Sequence, residues 1–342
     1  MPRIRPFRAL RYDTSVVGPL EALVAPPYDV ISVSEREAYL DRSPFNVVHL
    51  TLPDSPQDAA AALAAWRAHG VLREEEPRFW WIAQDYAGPD GVARTREGVA
   101  ASVPVTPYEE REILPHERTH SGPKEGRLRL LRATRTQLEP IFLIYDADPV
   151  LERPDAEPVL DVVESGVRTR AWPVEGDELE IETPLLIADG HHRYETAVAY
   201  RAENPRATHT FAVLVSSRAP GLEIFPTHRV VQGIGDVDAV AVDAPGGGVT
   251  LYRGGRYFRV ATRDDFGPRV VETLAPTGVS YTAYAGEAVA AVDSGAAAAA
   301  FLLEPVTVEQ VARFAHAGET MPQKSTFFYP KLTSGLLFHP IG

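Results

Sequence analysis

Four apolar residues, Leu185 to Ala188, run into Asp189-Gly190, and His191-His192-Arg193-Tyr194-Glu195-Thr196-Ala197 follow directly. The apolar run has the length of a short buried strand, whereas Tyr194, Ala197, Val198 and Arg201 recur at helical spacing until Asn204-Pro205 stops them. The segment therefore reads as strand, tight turn and helix. Gly190 removes the Cβ where the chain turns, leaving the first N–H groups of the helix and their partial positive charge open to an anion. A phosphate fits such a place. Arg193 adds a guanidinium fork for phosphate oxygens, His191 and His192 add imidazoles, and Asp189 is placed to hold a metal ion or orient a hydroxyl.

Composition limits what such a site can serve. The 342 residues are 44% hydrophobic, enough to bury a sizeable core, and carry a net charge of −13. Nonspecific nucleic-acid binding needs a basic face, so this acidic chain is not expected to bind nucleic acid generally, although a local cationic pocket is allowed. With no cysteine, thiolate chemistry and cysteine-based zinc sites are excluded. The longest apolar run, Ala296 to Leu303, is too short to span a bilayer, and Met1 to Pro6 lacks a signal-peptide core. A cytoplasmic location with no membrane partner is the expectation. Of 34 basic residues only Lys124, Lys324 and Lys331 are lysines. Where arginine fills nearly every basic position, a retained lysine points to a place that needs a compact, rotatable ammonium.

Taken in order, Ala25-Pro26-Pro27-Tyr28-Asp29 is a stiff loop, since its prolines exclude a helix. Ser34 and Glu37 read as a capping box, Phe45 to Leu50 as a strand, and Ser55-Pro56 as the opening of a helix over 57–69. Arg78 to Ala87 and Val92 to Val105 form a hairpin around Gly88-Pro89-Asp90-Gly91. The first hundred residues look chiefly like scaffold. Leu128 to Thr134 reads as helix, Leu138 to Asp146 as strand, and the acidic, Pro-rich region 149–182 as a connection between 1–148 and 183–342, unless the two halves form one integrated domain. Near the end, Thr307 to Gln310 is a capping box opening a helix that Gly318 closes.

Two further stretches are too polar and too broken by Pro and Gly to be core. Ile113 to Arg127 carries two histidines, two carboxylates, a lysine and two arginines. Met321 to Leu332 carries two of the three lysines beside three aromatics. A di- or triphosphate has more negative charge than one helix N-terminus and Arg193 can offset. Lys124, Lys324 and Lys331, with Arg118, are the groups expected to converge on it, at least one ammonium within about 10 Å of Arg193, near the screening length of salt solutions. Loops of this composition also suit a lid that excludes water.

Asp189-Gly190-His191-His192-Arg193 resembles the motif of the ParB/sulfiredoxin superfamily, most closely the Asp-Gly-His-His-Arg of its free-serine kinases. The chain as a whole, through Pro6-Phe7-Arg8-Ala9, Ala25 to Val30, Pro115 to Thr119, Gly122 to Glu125, Asp189 to Ala197 and Met321 to Thr326, resembles the family called domain of unknown function 1015. The resemblance implies an α+β fold with mixed sheets and a ParB/sulfiredoxin-like strand-turn-helix phosphate site. It also implies a nucleotide-dependent phosphotransferase, a kinase acting on a small hydroxylated metabolite such as free serine, with ATP or ADP and Mg²⁺. In that reading Gly190, His191, His192 and Arg193, with Arg118, Lys124 and Lys324, bind phosphate. Asp189, Glu117 and His192 are the catalytic candidates, Glu117 on the composition of its loop alone and not through the resemblance, and Asp189 is the metal ligand. Two alternatives stand beside it: a nucleotide-binding regulatory module without turnover, and a metal-dependent phosphate-ester hydrolase with His116, His120, His191 and His192 as ligands.

Overall fold

A computed structural model describes residues 1–117, 121–264, 266–275 and 277–341. It is an α+β fold built on two sheets, one of eight strands and one of six. In spatial order the larger sheet runs Ile113–Leu114, Leu185–Asp189, Ile141–Tyr145, His209–Ser216, Ala93–Pro104, Phe79–Ala87, Val167–Val174 and Leu160–Glu164. It is mixed: Leu185–Asp189 pairs parallel with Ile113–Leu114 and antiparallel with Ile141–Tyr145, which in turn pairs parallel with His209–Ser216.

The strands of this sheet are apolar on both faces, so each alternate residue has a core to enter. Trp80, Ile82, Ala100, Phe142, Leu186, Ala188, Phe211 and Val213 point to one side, where the N-terminal helices and the C-terminal tail cover them. Phe79, Trp81, Ala83, Leu143, Leu185, Ile187, Ala212 and Leu214 point to the other, where they meet Tyr194. The six-stranded sheet is antiparallel and draws on Ala239–Val242, Arg256–Val260, Thr250–Arg253, Ala299–Leu302, His228–Val231 and Val279–Thr282. Helices Gly267–Leu274 and Ala285–Asp293 bury Val271 and Ala288 in separate clusters against it.

Several local expectations hold. Helix Pro56–Ala68 starts at a Ser55 cap, Phe79–Ala87 and Ala93–Pro104 pair antiparallel, and Thr307 with Gln310 caps Val308–Ala317, which ends at left-handed Gly318. Three need correction. The capping box lies two residues earlier, at Ser32 and Glu35, because that pair brackets the first turn of Val33–Arg42. Residues Val48–Thr51 are a helical turn rather than a strand. Asn46 causes this: its Oδ1 accepts from the Val48 N–H at 3.0 Å while its Nδ2 donates to the Ala22 carbonyl at 2.8 Å, a local closure that competes with extended pairing. Region 149–182 is more than a connection, since Leu160–Glu164 and Val167–Val174 form a hairpin at the edge of the large sheet. Its alternation of buried and exposed residues was hidden by the surrounding prolines and acids.

Helix His191–Glu203 is fixed to the sheet by Tyr194, which is fully buried. Its hydroxyl donates to the Thr106 carbonyl at 2.7 Å and accepts from the Thr106 N–H at 2.9 Å. Tyr194→Phe should therefore leave both backbone groups of Thr106 unpaired and destabilise the fold by about 1–3 kcal/mol, read from denaturant unfolding. An unchanged midpoint would show that this anchor does not hold the helix.

Candidate functional site

The turn at Gly190 is as the sequence demands. Its φ is +93°, and a Cβ there would lie 3.1 Å from Cζ and Nε of Arg193, so the backbone strains any side chain and the guanidinium would have to shift to admit one. Strand, left-handed glycine and helix open on a cleft of about 550 Å³. Asp189 to Arg193 line it together with Glu117, Lys324, Thr326, Phe328 and Lys331.

At its base Asp189 is shared between two cations. The Lys331 ammonium donates to Oδ1, and the Arg193 guanidinium donates to Oδ2 at 2.5 Å. Burial would push the Asp189 carboxyl up, but Lys331 and Arg193 overcome it and hold the group well below the usual carboxylate range. A carboxylate so stabilised is a poor proton acceptor. It also does not fit as a Mg²⁺ ligand, because an ion there would face the ammonium and the guanidinium. Glu117 has the opposite character: burial, only partly offset by Lys324 and Lys331, raises its pKa, which suits it to take a proton from a bound hydroxyl.

Arg193 differs from its expected role as an open phosphate fork. Its other terminal nitrogen donates to the Pro140 carbonyl, the residue is 7% exposed, and Asp189 already balances its charge. The histidines also depart from a cationic role. His116 is fully buried; its Nδ1 donates to the Ile187 carbonyl at 2.7 Å and its Nε2 lies 3.0 Å from the Thr326 hydroxyl. Its backbone N–H donates to Nε2 of His191 at 3.3 Å, and the rings meet edge to face. Burial lowers the His116 pKa to about 4 and that of His191 well below its ordinary value. Both are neutral near pH 7, and His191 offers dipoles and hydrogen bonds in place of charge. His192 also lines the cleft.

The polar loop and the C-terminal tail do meet over the helix start. Glu117 pairs with Met321 as a parallel bridge, and the Met321 N–H donates to the His116 carbonyl at 2.9 Å. Lys331 and Arg193 share one carboxylate, which places an ammonium well inside the expected separation. Lys124 instead faces Glu195 at 3.5 Å and is not among the residues lining the cleft. Arg118 and His120 lie outside the described residues. Among the described residues no three His, Asp or Glu side chains are grouped to hold a metal ion; His120, one of the four ligands expected for a hydrolase, is not among them. No helix among them is long and apolar enough to cross a membrane.

Composition concealed some of the lining. Tyr28 and Asp29, from the stiff N-terminal loop, form one wall; Arg127 lies 3.6 Å over the Tyr28 ring and the Tyr28 N–H donates to Glu139 at 2.9 Å. Tyr281 and Tyr284, 40% and 47% exposed, also line the cleft. The proline pair before Tyr28 was a usable signal; nothing local marked the tyrosines.

The neutral imidazoles set a pH dependence. Unfolded His116 titrates near 6.5 and the folded one near 4, so its contribution to stability is complete above about pH 6.5 and is lost as pH falls toward 4. About 2 kcal/mol should disappear between pH 7 and pH 5 from this residue alone. Urea unfolding at the two values tests it, and His116→Gln should flatten the slope; equal stability at both values would mean that the buried rings bind protons.

No curated protein is significantly similar to this chain. Among solved structures, C-terminally truncated SbnI from Staphylococcus aureus aligns at 14% identity and a TM-score of 0.45 over 71% of this chain and 87% of that one. Free serine kinase in complex with AMP aligns at 13% and 0.40 over 70% and 92%. A conserved hypothetical protein from Pyrococcus furiosus aligns at 14% and 0.37 over 70% and 95%. The family model described as protein of unknown function, DUF1015, matches residues 4–245, and the chain belongs to that family.

Proposed function

We propose that this protein is a nucleotide-dependent phosphotransferase acting on the hydroxyl of a small metabolite. One observation carries the reading: in a chain of net charge −13, two of its three lysines, Lys324 and Lys331, and a helix N-terminus face one cleft together with a carboxylate whose pKa is raised. Phosphoryl transfer asks for this combination of charge neutralisation and a proton acceptor. In the proposed reaction the acceptor oxygen bonds to the terminal phosphorus of the nucleotide, the bond from that phosphorus to the leaving phosphate oxygen breaks, and the hydroxyl proton passes to Glu117.

The helix start at Gly190, with His191 and His192 as polar contacts, would hold phosphate oxygens, and Lys324 would offset their charge. Arg193 would act from beneath, orienting Asp189 so that Lys331 stays over the cleft. The exposed rings of Tyr281 and Tyr284 suit the stacking of a nucleotide base. Mg²⁺ would neutralise phosphate charge when it arrives with the nucleotide. Magnesium keeps several waters and needs only one or two carboxylates, but Asp189 is not suited to be one of them.

Calorimetry with ATP, ADP, AMP and pyrophosphate, each with and without Mg²⁺, tests the binding step. Lys324→Ala should weaken ATP or ADP about tenfold, consistent with the loss of one charge-assisted contact. Unaltered affinity would remove the tail from the site. Glu117→Gln should reduce turnover by about 10²–10⁴-fold while leaving nucleotide affinity nearly unchanged. If nucleotide binds yet no hydroxylated acceptor is phosphorylated, the protein is a nucleotide-responsive module and the enzymatic reading falls.

A further inference from the structure

Beside the main cleft lies a second chamber of about 250 Å³, and Tyr281 and Gln323 line both. Its inner wall is Arg229, on strand His228–Val231 and only 3% exposed; Glu272, on helix Gly267–Leu274, also lines it. The guanidinium donates to the Thr227 carbonyl at 2.5 Å and to the Lys324 carbonyl at 3.3 Å, and its carbon lies 5.6 Å from the Tyr281 ring centre. Among the described residues no carboxylate is within 4.0 Å of it. Arg193 has Asp189 at 2.5 Å and Arg11 has Glu75 at 2.7 Å; Arg96 is likewise buried with no carboxylate in reach, but it is packed over the Phe142 ring and donates to Gln84 and the Pro330 carbonyl, whereas Arg229 lines a chamber.

Burial lowers the Arg229 pKa to about 10, with Tyr281 and Glu272 opposing only in part. A buried cation held by two carbonyls and opening on a cavity is a site for an anion. Its chemistry selects which. One planar fork matches one carboxylate, whereas a phosphate would bring close to two charges into a chamber whose wall already carries Glu272. The chamber is also tied to the main cleft: the carbonyl that Arg229 holds belongs to Lys324, whose backbone sits at φ +55° and whose ammonium acts on Glu117.

We propose that this chamber is an acceptor subsite in which Arg229 binds the carboxylate of a small hydroxy acid, presenting its hydroxyl to the main cleft near Glu117. The fate of that hydroxyl rests on the phosphotransferase reading; the carboxylate site does not.

The test is calorimetry on the full chain with glycerate, serine and 3-hydroxypropionate, against glycerol and 1,3-propanediol as uncharged counterparts, with and without ADP. At least one acid should bind, its uncharged counterpart at least about tenfold more weakly. Arg229→Lys, which keeps the charge and loses the fork, should weaken the acid about tenfold or more while ADP affinity stays within about twofold. The proposal is overturned if none of the three acids binds, if a diol or triol binds as well as its acid, or if Arg229→Lys binds the acid as tightly as the unaltered chain. Should Arg229→Lys not fold, the comparison of acid with uncharged counterpart on the unaltered chain decides alone. ADP binding without any acid binding overturns only the acceptor subsite. Acid binding through Arg229 without nucleotide binding overturns the phosphotransferase reading and leaves the carboxylate site standing.

Discussion

The site depends on one buried carboxylate shared by two cations. Asp189 ends the strand, Arg193 lies one helical turn away on the other side of Gly190, and Lys331 arrives from the tail 142 residues later in sequence. Removing Asp189 leaves two cations without their partner, and breaking a buried pair in this way costs about 3–5 kcal/mol, so the carboxylate holds both in place. Because Asp189 is kept ionised by its neighbours, the cleft retains a fixed negative point beneath a cationic rim. The arrangement orients Lys331 without making Asp189 chemically reactive.

The rest of the fold brings the tail to that carboxylate. Gln84 donates to the Lys331 carbonyl at 3.1 Å and Arg96 to the Pro330 carbonyl at 2.6 Å, so two neighbouring strands of the large sheet grip the backbone on both sides of the peptide that carries Lys331. Both side chains are almost fully buried, and Arg96 also lies 4.4 Å over the Phe142 ring. From the other direction, His116 ties the Ile187 carbonyl of the central strand to Thr326. Its burial as a neutral ring explains why two adjacent imidazoles, His116 and His191, can pack edge to face without repulsion.

The strand, glycine turn and helix at 185–203 were legible because periodicity, the need for a missing Cβ and the stop at Asn204-Pro205 all agree. The convergence of loop and tail was legible for an electrostatic reason, the scarcity of lysine. What could not be read was the choice among cations. Lys124 and Lys331 each follow a proline, yet Lys124 projects from helix Ser121–Thr134 toward Glu195 while Lys331 is carried inward. From sequence Arg193 is a free fork, because nothing local shows that the Pro140 carbonyl and its own i−4 carboxylate claim it. Val48–Thr51 followed the same logic, where one Asn side chain outweighed β-branched propensity.

An anion site in an acidic protein works against the long-range field, since the net charge repels the ligand before contact. Neutral histidines give no help at a distance, and Arg193 is already balanced by Asp189. Attraction must therefore come at short range from Lys324, from Lys331 and from the oriented N–H groups at Gly190 to His192, all within a cleft where screening by water and salt is reduced. The same economy of charge would make Arg229, the buried arginine beside this cleft, matter to the specificity of the proposed acceptor subsite. With few cations to recognise an anionic acceptor, a fork that no carboxylate among the described residues neutralises would decide which molecules the proposed subsite admits.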